Sequence, residues 1–249
     1  LSNTPRQIFI AQGLTYDLPR YAHLPYVAEP GSSNKLSKRK LTKYLKHDDF
    51  KKIYSHAADI MTTLGVSIEP ESFNPVLVDF YQRVGYRPEA LANYLLLLGW
   101  SLDDRTEHFT RDEMVKLFNL ERINQSPASF DPQKMMAFEE RWMQVLPLDE
   151  KVAVVAPYLT QLGLLSPVLS SEENVRLRAV VVAAGDRLKV AGDIVNYSEF
   201  FEDDSAFTYD LKAFSKAGKI VRENLVEKLY SRDLLEKIIS SLNSFRIKK

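Results

Sequence analysis

Residues 85–101 read Gly-Tyr-Arg-Pro-Glu-Ala-Leu-Ala-Asn-Tyr-Leu-Leu-Leu-Leu-Gly-Trp-Ser and carry the clearest helix signal in the chain. Pro88 suits the first turn of a helix, where a backbone amide has no partner to lose. Gly99 is typical of the position that follows a helix. The apolar run between them predicts a helix that is buried on most faces. Tyr94 and Trp100 are therefore predicted to be core residues rather than ligand contacts.

Most other segments also have helical patterns, which predicts a mainly α fold. Thr110-Arg-Asp-Glu113 has the spacing of a capping box, and Asp131-Pro132 marks another helix start. Further helices are predicted over 47–61, over 148–162 with an interruption near Pro157, over 175–188 and over 211–229. Only residues 22–28, a short segment that contains a proline, suggest an extended conformation.

Upstream of this helical region, residues 35–39 read Lys-Leu-Ser-Lys-Arg; we call them the KLSKR loop. They follow a run of turn-forming residues at 30–34, which predicts a mobile surface loop. Such a loop can fold over a triphosphate and neutralise the charge that builds up on a leaving pyrophosphate. Arg39 can bind phosphate oxygens through two donors, whereas Lys35 and Lys38 act as point charges. The alternative is a solvated basic cluster without a ligand.

Composition limits the classes to which the protein can belong. Its 249 residues are 45% hydrophobic and 27% charged, which is ordinary for a globular protein with a sizeable core. The absence of cysteine excludes disulfides and thiolate metal sites and fits a cytoplasmic location. No apolar run approaches the length of a membrane span. The formal net charge of +0 argues against a general polyanion binder, so a nucleic acid must be bound by local basic surface.

Local basic surface is present between residues 35 and 52, where only Asp48 and Asp49 are acidic. The cations of this basic run are Lys35, Lys38, Arg39, Lys40, Lys43, Lys46, Lys51 and Lys52. We interpret the run either as an RNA contact or as the solvated face of a helix. A second cluster, Arg246, Lys248 and Lys249, is interpreted as a frayed terminal tail.

Together with segments on either side, residues 85–101 resemble the bacterial-type glutamyl-tRNA synthetases, which are class I aminoacyl-tRNA synthetases. The other segments that carry the resemblance are, in chain order, 1–7, 22–25, 109–114, 120–124 and 126–132. The KLSKR loop corresponds to the K-M-S-K-S-type loop of that family. Leu36 stands in place of its methionine and Arg39 in place of its last serine.

The resemblance implies a domain order for this mainly α chain. Residues 1–45 would form the end of a class I catalytic domain, 46–140 a helical stem-contact domain, and 141–249 an incomplete helical anticodon-binding domain. A stretch near 44–75 departs from the family and looks like an insertion, of a size that surface connections tolerate. Three arginines of the last domain are candidates for contacts to exposed bases, or else surface ion-pair partners: Arg176, Arg178 and Arg187.

The resemblance also implies a reaction in two steps. ATP with Mg²⁺ and glutamate would give glutamyl-adenylate, and tRNA-Glu would then accept the glutamyl group. Lys38 is the expected catalytic residue because it can stabilise the charge on the departing pyrophosphate, with Lys35 in support. Ser37 and Arg39 complete the expected contacts to the ATP phosphates. A monomer without a structural metal and without a membrane contact is expected.

One motif of the family is missing from the sequence. None of the four histidines belongs to an H-I-G-H tetrapeptide, the second nucleotide-binding motif of class I synthetases. We therefore expect the C-terminal portion of a glutamate–tRNA ligase that lacks the N-terminal Rossmann half and is inactive alone. The alternative is a non-catalytic module, derived from a synthetase, that binds RNA or another protein.

Overall fold

The structure is a computed structural model that describes residues 2–69 and 72–202. Nine α-helices lie in these ranges: α1 Thr4–Gly13, α2 Leu41–Tyr44, α3 Asp48–Thr63, α4 Val78–Val84, α5 Pro88–Leu97, α6 Arg111–Leu117, α7 Pro132–Val145, α8 Leu148–Gln161 and α9 Ser171–Ala184. The 3-10 turns are Lys38–Lys40, Leu120–Arg122 and Gly185–Arg187, and a longer 3-10 segment spans Ala191–Phe201. Strand pairing within these ranges is limited to isolated bridges, so the mainly α fold class is confirmed.

Two of the sequence predictions lie outside the described residues. They are the helix over 211–229 and the basic cluster at 246–249. In the described ranges, none of the helices has the length and apolar character needed to cross a membrane.

Three helix starts are confirmed where the sequence carries a local signal. Pro88 occupies the first turn of α5. The Thr110 side chain accepts a hydrogen bond from the Glu113 amide while the Glu113 carboxylate accepts one from the Thr110 amide, which completes the capping box of α6. The Asp131 carboxylate accepts hydrogen bonds from the first free amides of α7. Each signal acts over at most three residues, so the rest of the fold has little influence on it.

The expected interruption of α8 at Pro157 is wrong. The helix runs from Leu148 to Gln161 with this proline inside it. A proline ring removes one backbone hydrogen bond and leaves the carbonyl four residues earlier, that of Ala153, without its helical partner. Both residues are exposed, so water can satisfy that carbonyl and the helix continues.

The helix predicted over 175–188 is displaced toward the N-terminus. It spans Ser171–Ala184, because Ser170 and Glu173 form a capping box that the sequence analysis missed. At its other end, Gly185 has a positive φ of 54°, which does not continue a helix.

The prediction that α5 is buried on most faces is also wrong. Its buried residues are Ala90, Asn93 and Tyr94, whereas Leu95 is 45% exposed. The helix packs its small and aromatic side chains against α7, and its leucine stripe lines an open apolar groove of about 460 Å³ beside residues 25–27. Tyr94 and Trp100 are in the core, as predicted.

The buried side chains form two clusters. The first core is built mainly by α3, α4, α5 and α7, and the second by α8, α9 and the 3-10 segment Ala191–Phe201. Tyr158 of α8 and Leu162, which directly follows that helix, pack against both cores. The described residues therefore form one compact unit.

The stretch 44–75 is part of the first core and not a surface excursion. Five side chains of α3 are buried, among them Phe50, Ile53 and Ile60, and Phe73 packs on Phe80 with ring centroids 4.6 Å apart. A surface connection would expose these side chains to water. Whatever its status relative to the family, this segment is needed for the core that carries the KLSKR loop.

Candidate functional site

The KLSKR loop begins on a tight reversal of the chain. Ala28 and Lys35 form an isolated antiparallel bridge, and the Leu36 amide donates to the Val27 carbonyl at 2.8 Å. Gly31 has a φ of +63° in the turn between them, a conformation that favours glycine. The Ala28 amide also donates to the Ala128 carbonyl at 2.8 Å. The extended segment predicted over 22–28 therefore connects the KLSKR loop to the residues before α7.

The backbone of the loop is held at two further points. The Ser37 amide donates to the Tyr44 hydroxyl at 2.9 Å. The Asn74 side-chain amide donates to the Lys38 carbonyl at 2.8 Å. The mobile loop expected from the turn formers is thus anchored to α2 and to the residues before α4. Tyr44 and Asn74 are almost completely buried, so both anchors belong to the core.

The predicted site residues differ in how they are exposed. Lys35, Lys38 and Arg39 are exposed to solvent, and Ser37 is half-buried. In residues 2–69 and 72–202, none of the three cations takes part in an ion pair. Lys35 also lines the apolar groove beside α5. The arrangement presents three cationic side chains next to a half-buried hydroxyl, which is chemistry suited to a polyanionic ligand.

The sequence analysis missed a carboxylate at the centre of this region. Glu29 is only 1% exposed, and its two oxygens accept hydrogen bonds from Lys40 Nζ and Lys43 Nζ, each at 2.6 Å. These hydrogen bonds lower the pKa of Glu29 to about 2 and raise the pKa of Lys40. A lone glutamate just before a turn carries no signal that would identify it from sequence.

The ion pairs divide the basic run into two groups. Lys40 and Lys43 are paired with Glu29, and Lys52 approaches Asp49 at 3.9 Å. The remaining cations of the run are exposed and form no ion pair within the described part of the chain: Lys35, Lys38, Arg39, Lys46 and Lys51. The surface available to a nucleic acid is therefore smaller than the sequence suggests.

Two of the candidate base-contacting arginines are surface ion-pair partners. Arg176 pairs with Glu172 at 3.5 Å and Arg178 pairs with Asp149. Arg187 is exposed and donates to the Ala183 carbonyl at 3.4 Å. Arg176 and Arg178 are therefore surface ion-pair partners, which is the alternative to base contacts stated above.

A groove of about 560 Å³ lies between α3, α7 and the 3-10 segment Ala191–Phe201. At its edge, His56 Nε2 lies 2.5 Å from Asp193 Oδ1, while Asp193 Oδ2 accepts the Val190 amide at 3.0 Å. Lys189 pairs with Glu140 at 2.7 Å on the same surface. Because acidic and basic side chains in this groove are largely paired with one another, it carries no excess of charge for a ligand. In the described residues, no group of three acidic or histidine side chains is arranged to hold a metal ion.

Comparison with known proteins gives consistent matches. The family model for the catalytic domain of class I tRNA synthetases (E and Q) matches residues 73–137. The glutamate–tRNA ligase of Bacillus cytotoxicus is 30% identical over 88% of this chain and 39% of its own length. That of Bacillus licheniformis is 28% identical over 94% of this chain and 42% of its own length.

The fold has a counterpart among solved structures. A crystal structure of a glutamate tRNA ligase from Elizabethkingia meningosepticum superposes with a TM-score of 0.58 and 23% identity. The superposition covers 93% of this chain and 43% of that one. The chain thus spans about two fifths of the length of the proteins it matches.

Proposed function

Because the chain belongs to the glutamate–tRNA ligase family, we propose that it supplies the ATP-phosphate loop and the tRNA-contacting helices of a larger enzyme. That enzyme charges tRNA with glutamate in the cytoplasm. In that enzyme, glutamate attacks the α-phosphorus of ATP and pyrophosphate leaves, which gives glutamyl-adenylate. The terminal ribose of tRNA-Glu then accepts the glutamyl group, and AMP leaves. The observation that carries the proposal is the group of three exposed cations on the anchored KLSKR loop.

The KLSKR loop acts on the leaving group. As the bond to the α-phosphorus breaks, negative charge accumulates on pyrophosphate, and preorganised cations stabilise that charge more than they stabilise bound ATP. Lys38 is the principal catalytic residue, and Lys35 supports it by stabilising the same charge. Arg39 binds phosphate oxygens through its two-donor fork, and Ser37 donates one hydrogen bond.

Mg²⁺ would enter with ATP and neutralise phosphate oxygens. The described residues near the loop supply cations and one hydroxyl, which fit phosphate oxygens, and the one buried carboxylate there is already bound to two lysines. The chain's own contribution to the reaction is therefore electrostatic and positional.

A single loop forms one side of a nucleotide site. The groups that bind glutamate and adenine in the family belong to its Rossmann half, so the chain by itself is expected to give no glutamate-dependent ATP–pyrophosphate exchange above background, even with tRNA present. Clear exchange by the purified chain would contradict this division of roles.

RNA binding tests the proposal on the chain itself. Labelled tRNA-Glu and an unrelated RNA of equal length are titrated at several salt concentrations. Because the net charge is zero and the unpaired cations of the basic run are few, the slope of log affinity against log salt should be roughly −2 to −5. Replacing both Lys46 and Lys51 with alanine should make that slope shallower, whereas Lys134→Ala, which removes a lysine already paired with Glu107, should not.

The second candidate function is a synthetase-derived module that binds another protein. It is favoured by the exposure of apolar side chains near the start of the chain: α1 buries none of its residues, and Phe9 is 70% exposed. Large exposed apolar surfaces are typical of interaction sites. Equal affinity for the two RNAs, or none at low salt, would favour this function over tRNA charging.

A further inference from the structure

The carboxylate of Glu29 removes two cations from the neighbourhood of the KLSKR loop. Its Oε1 binds Lys40 Nζ and its Oε2 binds Lys43 Nζ. Lys40 follows the loop directly and Lys43 lies in α2. Both are roughly half exposed, so without Glu29 nothing in the described surroundings would hold them in place. Lys35, Lys38 and Arg39 have no such partner among the described residues.

The same carboxylate is connected to the backbone of the loop through one hydroxyl. Tyr44 OH donates to Glu29 Oε1 at 3.2 Å and accepts the Ser37 amide at 2.9 Å. A phenol has a single proton, and because that proton is directed at the carboxylate, a lone pair faces the Ser37 amide. Burial raises the pKa of Tyr44, so the proton stays on the phenol at neutral pH.

Glu29 is itself fixed by its backbone. Its amide donates to the Asn34 carbonyl at 2.7 Å, and its carbonyl accepts from Ser129 Oγ at 3.1 Å. The carboxylate therefore has a defined position relative to both the turn and the segment before α7. A hydrogen-bonded chain of Glu29, Tyr44 and Ser37 runs from this fixed point to the KLSKR loop.

We propose that Glu29 and Tyr44 are positioning residues of the phosphate site. Glu29 holds Lys40 and Lys43 away from the phosphates, and through Tyr44 it fixes the Ser37 amide, so that only Lys35, Lys38 and Arg39 meet the anion. This inference rests on the proposed function, in which the KLSKR loop binds ATP phosphates. It specifies which lysines of the basic run contact the phosphates, and the sequence alone does not indicate this.

Two variants separate the two parts of this role. Glu29→Gln keeps the size of the side chain but gives up the charge that holds Lys40 and Lys43. Tyr44→Phe removes the hydroxyl between Glu29 and Ser37 and leaves both ion pairs in place. Glu172→Gln is the matched control, because it breaks an exposed ion pair with Arg176 on α9.

The experiment uses the chain as it is, with inorganic pyrophosphate as the probe and nuclear magnetic resonance as the readout. In the wild type, pyrophosphate should shift the side-chain resonances of Lys35 and Lys38 and leave those of Lys40 and Lys43 unchanged. In Glu29→Gln, all four lysines should respond. Hydrogen exchange of the Ser37 amide should accelerate by about tenfold or more in Tyr44→Phe, and should be unaltered in Glu172→Gln.

The outcomes distinguish the two proposals. Unchanged exchange of the Ser37 amide in Tyr44→Phe, or a response of Lys40 and Lys43 to pyrophosphate in the wild type, overturns the positioning role. A wild-type chain in which no lysine of the loop responds to pyrophosphate overturns the phosphate site itself. Should Glu29→Gln fail to fold, Tyr44→Phe and the wild-type lysine pattern decide the question.

Discussion

Two buried glutamates show how strongly surroundings control one side-chain type. Glu29 is bound by two lysines, which lower its pKa to about 2. Glu139 on α7 is completely buried, and although its Oε2 accepts the Arg87 amide at 2.8 Å, its Oε1 has no hydrogen-bond partner among the described residues. Burial raises the pKa of Glu139 to about 8. The first carboxylate is charged at neutral pH, and the second is largely protonated.

Glu139 should make stability depend on pH in an unusual direction. Its pKa in the folded state lies above the ordinary value, so between about pH 4.5 and about pH 8 the folded state holds a proton that the unfolded state has lost. The free energy of unfolding should therefore fall as pH rises through this interval. Glu139→Gln should remove that fall and be more stable than the wild type near pH 8 by roughly 2–5 kcal/mol.

Denaturant unfolding at about pH 5 and about pH 8 measures this effect as a difference between the two proteins. The two proteins are compared because other carboxylates, such as Glu173 with its lowered pKa, also make the free energy of unfolding depend on pH. Their contribution is the same in both proteins and cancels in the difference. Parallel pH profiles for the wild type and Glu139→Gln would contradict the assignment.

Lys38 should matter more for turnover than for binding. In an enzyme that contains this chain together with a nucleotide-binding Rossmann half, Lys38→Ala should cost about 2–4 kcal/mol of transition-state stabilisation in adenylate formation. The dissociation constant of ATP should change much less, since the charge develops only as pyrophosphate leaves.

The measurement is ATP–pyrophosphate exchange together with equilibrium ATP binding. Lys134→Ala is the control, because Lys134 lies outside the basic run and is already paired with Glu107. If ATP binding weakens as much as turnover falls, Lys38 binds substrate and transition state equally.

At the scale of elements, the 3-10 segment Ala191–Phe201 depends on one carboxylate. Asp193 accepts the Lys189 and Val190 amides through Oδ2 and contacts His56 of α3 through Oδ1. The Val190 amide is buried, so it has no access to water as a replacement partner. One side chain thus begins the segment and attaches it to α3.

Asp193→Ala should lower the free energy of unfolding by about 2–4 kcal/mol, because it removes a cap and leaves a buried amide unsatisfied. Glu113→Ala is the matched control: the Glu113 carboxylate also accepts a backbone amide at a helix start, but α6 buries none of its residues. That control should cost about 1 kcal/mol or less. Equal losses in the two variants would show that Asp193 is only a cap.

At the scale of the whole described unit, the two cores meet where two glycines allow close backbone contact. The Ala191 amide donates to the Gly85 carbonyl at 3.1 Å, and Tyr158 OH donates to the Arg83 carbonyl at 3.2 Å. A Cβ at Gly192 would lie 2.5 Å from the Val84 carbonyl oxygen, which is closer than real Cβ contacts. The end of α4 can therefore reach the 3-10 segment only if position 192 has no side chain.

Gly192→Ala should destabilise the protein by about 2–3 kcal/mol, since the backbone of α4 must move to admit a methyl group. Gly99→Ala is a suitable control, because a Cβ there would meet nothing within 4 Å and the backbone has no positive φ. Thermal or denaturant unfolding compares the two variants. A Gly192→Ala protein as stable as Gly99→Ala would mean that the joint between the cores is more compliant than its geometry indicates.

Features that depend on neighbours along the chain follow directly from the sequence. The helix starts at Pro88, Thr110 and Asp131 were predicted correctly, because caps and first-turn prolines act within three or four residues. The charges of the KLSKR loop were also evident from its residues alone. These features persist in most folds that contain the same short segments.

Which of these groups are exposed, paired or buried depends on how distant parts of the chain pack together. Glu29 neutralises Lys43 across 14 residues, and His56 meets Asp193 across 137. Leu95 of α5 lines an open groove, whereas Leu91 and Leu97 of the same helix pack against the first core. Glu139 is removed from solvent by contacts with other parts of the chain. Burial and ion pairing depend on distance in space, which sequence separation does not fix. For this reason, the cations that lack an ion-pair partner near the KLSKR loop can be identified only from the folded chain.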